Sequence, residues 1–504
     1  MTSVLVLGGG GREHALILAL TRSPGIGNIY TMPSAFHIER EPGVSGVDGD
    51  PDDPAAVLAA VGTHGIDLVV VGSAGPSAKG VADRLRAEGV AVFGVGRDAV
   101  RLEQSKDFGG EFMLRHGIAA PRSIAFDDRA AARQYAATLP GCAVKADGFA
   151  DGAGVFVCPD AASAAAALEL CPPGRVVIQE RCIGPEFSVH AIVTATAAGG
   201  SYTLLDSAQD YKRLLDGDLG PNTGGVGAVS PAPWLSTSDY RSIAGELLSA
   251  FVAGCLADGI DYRGIAYFPV MLTADGIRVL EINVRFGNPE AQSLLARLDS
   301  GLLPVLWQCA VGAPGQAEMT WRPEYAVTVA SCVSGYPRSP RSEVELTGLD
   351  KPLPGDVRIF LSSGIRATPD GRLLGRTGRV LTATAVHDDL AEARAAAYAA
   401  VAGVGFPGRY FRGDIASAEP DVPLSSGCGV IHLTGWRREA VAKEITELYP
   451  RARLVTDAAQ AWAAVAAGLL AITTGEPLEV PGWHCVSVPA DDAAWVLVRA
   501  FARG

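Results

Sequence analysis

Apolar runs and helix-periodic stretches alternate along the first hundred residues. Residues 3–7 read as a buried strand, 12–21 as a helix, and 68–71 as a second strand ending at Gly72. A helix over 78–88 and a third strand over 90–93, ending at Gly94, follow. Alternation of this kind gives a parallel sheet with helices on both faces. The turn GGGGREHA, residues 8–15, joins the first strand to its helix. Free N–H groups at such a turn can hold an anion, although tight packing explains a glycine-rich turn about as often.

Beyond this region the pattern changes. A helix over 105–116 stops before Pro121. A strand over 142–145 leads into ADGFADGAGVFV, residues 146–157, whose end is again a strand. Strand, glycine-rich loop and strand do not fit a P-loop. A hairpin loop that closes over phosphates fits better, since a plain turn needs fewer glycines. A helix over 161–170 and strands over 175–179 and 186–193 follow. Residues 207–233 read as a long polar loop that mixes Asp210, Lys212, Arg213, Asp216, Asp218 and Asn222 with Pro221 and Pro231 as rigid points. Long loops inside a compact domain are usually functional or disordered, and this one is not of low complexity. A helix over 237–257 and a strand over 264–272 then lead to RVLEINVRFGNPE, residues 278–290.

That stretch reads as a strand running into a polar turn. Glu281 and Asn283 are one residue apart, so in an extended chain both point to one face. A carboxylate and a carboxamide there offer oxygen ligands suited to Mg²⁺. The alternative is an edge strand with a solvated polar face. Residues 325–418 return to short strands (326–333, 357–362, 380–386) with a helix at 390–401, an α+β unit. After the linker-like PLSSGCG, four apolar runs alternate with helical stretches at 437–448 and 458–467. The expected division is therefore 1–104 (α/β), 105–324 with a lid at about 123–192, 325–418 (α+β), and 421–504, a small α/β module.

Composition narrows the function. A net charge of −13 argues against a nucleic-acid backbone as partner, but not against phosphorylated small molecules. Nine scattered cysteines without a CxxC pair suit reduced thiols in a cytoplasmic protein. No run reaches the ~18 apolar residues of a membrane span. The only lysines are Lys79, Lys106, Lys145, Lys212, Lys351 and Lys443.

In order along the chain, GGGGREHAL, LEQSKDFGGEFMLRHGI, VKADG, SAQDYKR, DGDLGPNTGGVGAVSPAP, LEINVRFGNPEAQ, GRVL and FRGDI resemble glycinamide ribonucleotide synthetase (phosphoribosylamine–glycine ligase), of the ATP-grasp superfamily. The resemblance covers about residues 1–418. It implies an ATP-grasp fold preceded by a parallel-sheet α/β domain, so the chain as a whole is α/β and α+β, multidomain. It also implies an ATP-dependent ligase in which a carboxylate takes the γ-phosphoryl group and an amine then displaces phosphate. By motif, Lys106 and Lys145 would contact ATP phosphates, with Gly152 and Gly154 in the covering loop. Glu180 would meet the adenine and Glu186 the ribose. Glu281 and Asn283 would bind Mg²⁺ (or Mn²⁺). Lys212, Arg213 and Arg285 would stabilise the acyl phosphate or the substrate carboxylate. Gly9, Gly10, Gly11, Arg12 and Glu13, with Asp210, Asn222, Thr223, Gly224, Asn288 and Glu290, would face the substrates. The partners implied are small molecules, with neither nucleic acid nor membrane, for a monomer or homodimer.

The chain departs from the family pattern at three single positions and in a segment before Arg175 that is shorter than usual. Ala74 stands where a glutamate is usual, Ala153 where a lysine is usual in the covering loop, and Asn288 where FGDPE has an aspartate. The module after 421 has no counterpart in the plain synthetase. The reading is therefore a glycine–phosphoribosylamine ligase of purine synthesis, or a paralogue joining glycine or another amino acid to a different amine in specialised metabolism. A third reading, a non-catalytic ATP-binding protein, is motivated by the lost loop lysine and opposed by the retained Lys106, Lys145, Glu281 and Asn283.

Overall fold

The structure is a computed structural model. It describes residues 1–148, 154–315, 318–338, 343–376 and 378–417, with four strands between 430 and 489. The first strand, Thr2–Leu7, is central because its apolar residues are covered on both sides. It pairs in parallel with Ile26–Met32 and Leu68–Val71, and Val44–Gly46 and Ala91–Phe93 complete a five-stranded sheet. The chain leaves the first strand toward one neighbour and later returns on its other side. The glycine turn therefore lies at the crevice where open parallel sheets bind ligands. Ile26–Met32, Val44–Gly46 and the helix Pro54–His64 were not expected from the sequence. The first two are short or interrupted by polar residues, and only the neighbouring strands make them part of a sheet. The single helix expected over 78–88 is two, Ala74–Lys79 and Val81–Ala87. They break at Gly80, whose φ of 80° suits glycine and whose Cβ would meet Arg97 Nε at 2.3 Å.

The next region holds two antiparallel sheets. Ser123–Phe126, Val176–Glu180, Cys142–Ala146 and Val155–Cys158 form one, backed by helices Arg129–Ala136 and Ala161–Leu170. Gly199–Leu204, Glu186–Thr196, Tyr262–Thr273 and Gly276–Val279 form the other. The long helix Thr237–Asp258 covers the second sheet. Its Phe251 packs edge-on against Phe112, Tyr262 and Phe268, all buried. Aromatic clusters of this size hold a sheet and its helix in one relative position.

The polar loop expected at 207–233 is folded into four short strands. Gln209–Asp210 and Gly227–Ser230 extend the C-terminal sheet, in which Tyr325–Val333, Arg379–His387 and Val357–Leu361 follow in order. Arg213–Leu215 and Leu219–Asn222 form a separate hairpin. The reason is its apolar minority. Tyr211, Leu214, Leu215, Val226 and Val229 are buried in the core of the C-terminal unit. Arg412, fully buried there, is ion-paired with Asp218 and Asp414, which ties the hairpin to the end of that unit. In the last module Ala452–Leu454, Leu470–Thr473, Val430–Thr434 and Cys485–Pro489 lie in that order as a parallel sheet. The helices expected at 437–448 and 458–467 lie outside the described residues.

Candidate active site

A cleft of about 1340 Å³ is lined by the glycine turn, residues between 143 and 186, the 209–224 segment, the stretch after Val279 and the C-terminal sheet. Most residues singled out from the sequence meet in it. From the turn come Gly10, Gly11, Arg12 and Glu13. Lys145, Glu180, Glu186, Asp210, Lys212, Arg213, Asn222, Thr223 and Gly224 line the middle. Glu281, Asn283, Arg285, Asn288 and Glu290 come from the polar turn. Lys106 lines an adjoining hollow together with Lys145, Glu281, Asn283 and Arg285. Gly9 packs instead against the next strand's end, where an added Cβ would lie 3.3 Å from Ala35 Cβ. Gly154 belongs to the hairpin of Cys142–Ala146 and Val155–Cys158, its carbonyl accepting from Ala146 N at 2.9 Å. Gly152 and Ala153 lie outside the described residues.

Local pairing aims these side chains. Gly276–Val279 runs against Tyr262–Thr273, and past it Asn283 and Tyr267 exchange two backbone bonds of 2.8 Å. The extended path brings both Glu281 and Asn283 to the cleft. Glu281 sits among cations. Burial works to raise its pKa, but Lys145, Lys106, Lys212 and Arg285 outweigh burial and hold it at about 2. Lys145 is itself buried and its pKa lowered by desolvation, partly offset by Glu281. Its ammonium donates to Leu280 O at 3.1 Å, while Lys106 Nζ donates to Gly148 O at 2.7 Å. This density of positive charge around one carboxylate is hard to keep without anions, and polyphosphate with a divalent cation would balance it.

Among the described residues no group of three or more His, Cys, Asp or Glu side chains could hold a metal. Mg²⁺ bound mainly by phosphate and water needs only one or two protein oxygens. An ionised Glu281 with Asn283 beside it fits that requirement. The amide oxygen of Asn283 also accepts from Arg285 Nη2 at 3.1 Å.

Arg285 is held from several sides. Its Nε donates to Glu103 Oε1 at 3.2 Å and its Nη1 to Phe286 O at 3.2 Å. Glu103 Oε2 accepts from Val284 N at 2.8 Å, so one carboxylate fixes both the backbone and the guanidinium. Lys212 is ion-paired with Glu186 and lies 3.8 Å from Asp210 Oδ2. Burial pushes its pKa down to about 8, against the pull of Glu281 and Glu290. Arg213 donates to Gly220 O at 2.7 Å and so closes its own hairpin. Thr223 Oγ1 donates to Lys212 O at 2.8 Å, and Gly224 N donates to Tyr336 Oη at 3.1 Å. Glu13 turns back on the glycine turn, accepting from Gly10 N at 3.1 Å and Arg12 Nε at 2.9 Å. It caps the turn, and an added Cβ on Gly8 or Gly72 would strike its side chain. Asn288 Oδ1 accepts from Gln292 Nε2 at 2.9 Å.

Among the cleft residues not chosen from the sequence are Glu103, Tyr267, Gln292 and Arg379. Arg379 Nη1 donates to the carbonyls of Gly224, Gly225 and Asn288, joining the hairpin to the polar turn. Glu103, Gln292 and Arg379 fall inside or beside the quoted motifs, which was the available signal. Nothing in the strand pattern marks Tyr267.

Two buried histidines give the folded chain a defined acid limit. His190 stacks on Tyr267 at 4.2 Å and accepts from Gly287 N. Burial lowers its pKa from 6.5 to about 4, with Glu290 opposing and Arg285 assisting. Burial likewise lowers His37 to about 4, helped by His14 and Arg40. The unfolded chain therefore binds protons that the folded chain refuses between these values. Stability from both histidines is full above pH 6.5 and is lost as pH falls through about 4. The expected loss is on the order of 3 kcal/mol for each. A melting series from pH 7 to 4 checks this, and H37Q should show a shallower slope.

The chain matches three family models in succession. These are phosphoribosylglycinamide synthetase N domain over residues 2–103, its ATP-grasp (A) domain over 104–291 and its C domain over 326–418. It is 40% identical to a phosphoribosylamine–glycine ligase of Streptomyces coelicolor, covering 82% of this chain and 98% of that protein. It is 38% identical to the Caulobacter vibrioides ligase, covering 82% and 97%. The crystal structure of the phosphoribosylamine–glycine ligase of Thermotoga maritima superposes with a TM-score of 0.68 at 29% identity, covering 82% of this chain and all of that one. An N5-carboxyaminoimidazole ribonucleotide synthetase from Thermotoga maritima shares the fold, with a TM-score of 0.53 at 16% identity over 81% of this chain and 99% of that one. With all three domain models matched in order around this cleft, the chain belongs to the phosphoribosylglycinamide synthetase family, whose central domain is an ATP-grasp fold.

Proposed function

We propose that the protein is a cytoplasmic ATP-dependent ligase that joins glycine to 5-phosphoribosylamine in purine synthesis. The observation that carries this reading is the cation-ringed Glu281 in a cleft shared by all three family domains. Glycine's carboxylate takes the γ-phosphoryl group of ATP, giving glycyl phosphate and ADP. The amine nitrogen then attacks the acyl carbon, the bond from that carbon to the phosphate oxygen breaks with its electron pair leaving on phosphate, and the nitrogen gives up one proton to phosphate or solvent. Mg²⁺, when bound, supplies charge neutralisation on the phosphates. Lys106 and Lys145 hold the ATP phosphates, and Glu281 and Asn283 hold the metal. Glu180 and Glu186 serve the nucleoside. Arg285, Lys212 and Arg213 meet the charge that develops on the acyl phosphate. The turn around Gly10 to Arg12, with Asn222, Thr223, Gly224 and Asn288, faces the amine side.

A second reading rests on that side of the cleft. Ala74 lines it without a carboxylate, and Asn288 is neutral and engaged by Gln292. A hydrogen bond to a charged partner contributes about 1.5–3 kcal/mol, enough to change which amine is preferred. On this reading the same acyl-phosphate chemistry serves a different amine in specialised metabolism. Growth without purines of a strain lacking the synthetase, restored by this chain, supports the first reading. No growth despite soluble protein, with glycine-dependent ADP release using another amine, supports the second. Absence of ADP release with any amino acid and amine, analysed by mass spectrometry, would falsify both.

A further inference from the structure

Cys142 and Cys158 stand directly opposite each other on the neighbouring antiparallel strands Cys142–Ala146 and Val155–Cys158. In the same register Ala146 N donates to Gly154 O at 2.9 Å, so those two residues are a hydrogen-bonded pair. Hydrogen-bonded and non-hydrogen-bonded pairs alternate along an antiparallel ladder. Cys142 lies four residues before Ala146, so its pair with Cys158 is also of the hydrogen-bonded kind. Such pairs have a Cα separation of about 5.5 Å. A disulfide spans roughly 4.4–6.8 Å between Cα atoms, so no backbone shift is needed to close one here. The side chains also point the same way. Cys142, Val144, Ala146 and Cys158 are buried in one small core with Ala164 and Ala167 of the covering helix. The alternating residues Ala143, Lys145, Val155 and Val157 line the cleft instead. The two thiols are therefore on the face of the sheet that turns away from the cleft, and they are hydrogen-bonded to each other.

We propose that Cys142 and Cys158 are the site of a reversible disulfide, formed with a small-molecule disulfide as oxidant, that staples the hairpin carrying Lys145. In the reduced protein the Cys158 thiol has two acceptors in reach, Phe156 O at 3.5 Å and the Cys142 sulfur. The hydrogen bond between the thiols lowers the pKa of Cys142 and raises that of Cys158, so Cys142 supplies the thiolate. That thiolate attacks one sulfur of the oxidant, whose S–S bond breaks, and one small thiolate leaves. Cys158 then gives its proton to that thiolate or to solvent. Its sulfur attacks Cys142 Sγ and expels the second small thiolate, which takes up a proton. Two protein thiols lose two electrons, and one small disulfide is reduced to two thiols. Both cysteines are buried, so the oxidant meets them when the hairpin opens. Val155–Cys158 is an edge strand, paired on one side only, and such a strand opens locally without global unfolding. The closed disulfide forbids that opening. It lies three residues from Lys145 on the same strand, and across the sheet Cys142 pairs with Glu180. Release of bound ATP is therefore slowed, a consequence that rests on the ligase reading above, in which Lys145 and Glu180 meet the nucleotide.

The test incubates the full chain with oxidised glutathione, alkylates the remaining thiols, and cuts the chain after lysine and arginine and before aspartate. Cleavage at Lys145 separates the two cysteines, and cleavage at Asp160 separates Cys158 from Cys171. Mass spectrometry should find Cys142 joined to Cys158, and dithiothreitol should release the two peptides. No link, or a link from Cys142 to Cys171 or Cys182, overturns the site. Amide hydrogen exchange over 142–146 and 155–158 should slow about 10-fold or more on oxidation, and should not slow in C158S treated alike. The comparison of oxidised with reduced unaltered protein stands whether or not that variant folds. A link that leaves exchange unchanged overturns the staple. ATP should leave the oxidised protein about 3- to 10-fold more slowly than the reduced protein after dilution. Equal release with the link in place overturns the coupling to the nucleotide. Failure of the reduced protein to bind ATP overturns the ligase reading, while the linked peptide still decides the disulfide site.

Discussion

Replacing Glu281 by glutamine is expected to lower glycine-dependent ADP formation by about 1000-fold or more, the scale of lost metal and electrostatic stabilisation in phosphoryl transfer. The side chain keeps its shape, so the loss is one of charge. In the native chain four cations hold this carboxylate ionised, at a pKa of about 2. Glutamine leaves Lys145, Lys106, Lys212 and Arg285 facing a neutral group, and it removes the anion we propose as a metal ligand. The two effects separate in a titration. Loss of the ligand raises the Mg²⁺ concentration needed for half-maximal rate. Loss of the counter-charge alone lowers the rate without moving that midpoint. Folding is followed by circular dichroism. Undiminished turnover in E281Q would sink the metal assignment.

Replacing Arg285 by alanine is expected to lower kcat by about 100- to 1000-fold, the usual cost of removing one preorganised donor at developing charge. Burial works against the charge on Arg285, but Glu103, Tyr267, Glu290 and Glu281 outweigh it and raise its pKa further. The guanidinium is therefore permanently charged and fixed in direction by Glu103, Asn283 and Phe286. R285K should recover little, because a lysine cannot make the three directed bonds at once. Single-turnover measurement of ADP formation distinguishes a chemical defect from slow product release. A loss confined to the KM for ATP, with kcat intact, contradicts a role at the reacting carboxylate.

The parts of the site legible in the chain are those encoded locally. The one-residue spacing of Glu281 and Asn283 implies a shared face, and strand pairing around Tyr267 and Asn283 keeps that path extended. The helix 161–170 has the bounds its alanine-rich run suggests, and the structure adds Asp160 as its cap, accepting from Ser163 N. Residues 207–233 were read as a loop because their glycines and acids dominate composition. A few apolar residues, Leu214, Leu215, Val226 and Val229, decide otherwise by entering the C-terminal core. Strands of two to four residues, such as Gln209–Asp210, carry almost no signal of their own. Their partners lie far along the chain, so only the assembled sheet defines them.

The sequence by itself determined the family resemblance, the succession of α/β and α+β units, and the identities of Lys106, Lys145, Lys212 and Glu281. The succession of units follows from side-chain periodicity and the shared face of Glu281 and Asn283 from short spacing, which are properties of neighbouring positions, while the three lysines were singled out through the motifs of the resemblance. Only the tertiary structure decided that Glu103 holds Arg285 across 182 residues. It likewise decided that Lys212 pairs with Glu186, that Glu13 caps its own turn, and that Asp210 Oδ1, Glu290 Oε1 and Gln292 Oε1 find no hydrogen-bond partner among the described residues. The reason is physical. Whether a buried polar atom is satisfied depends on which distant segments pack against it and on how much water they exclude, and neither quantity is written in the spacing of residues along a chain.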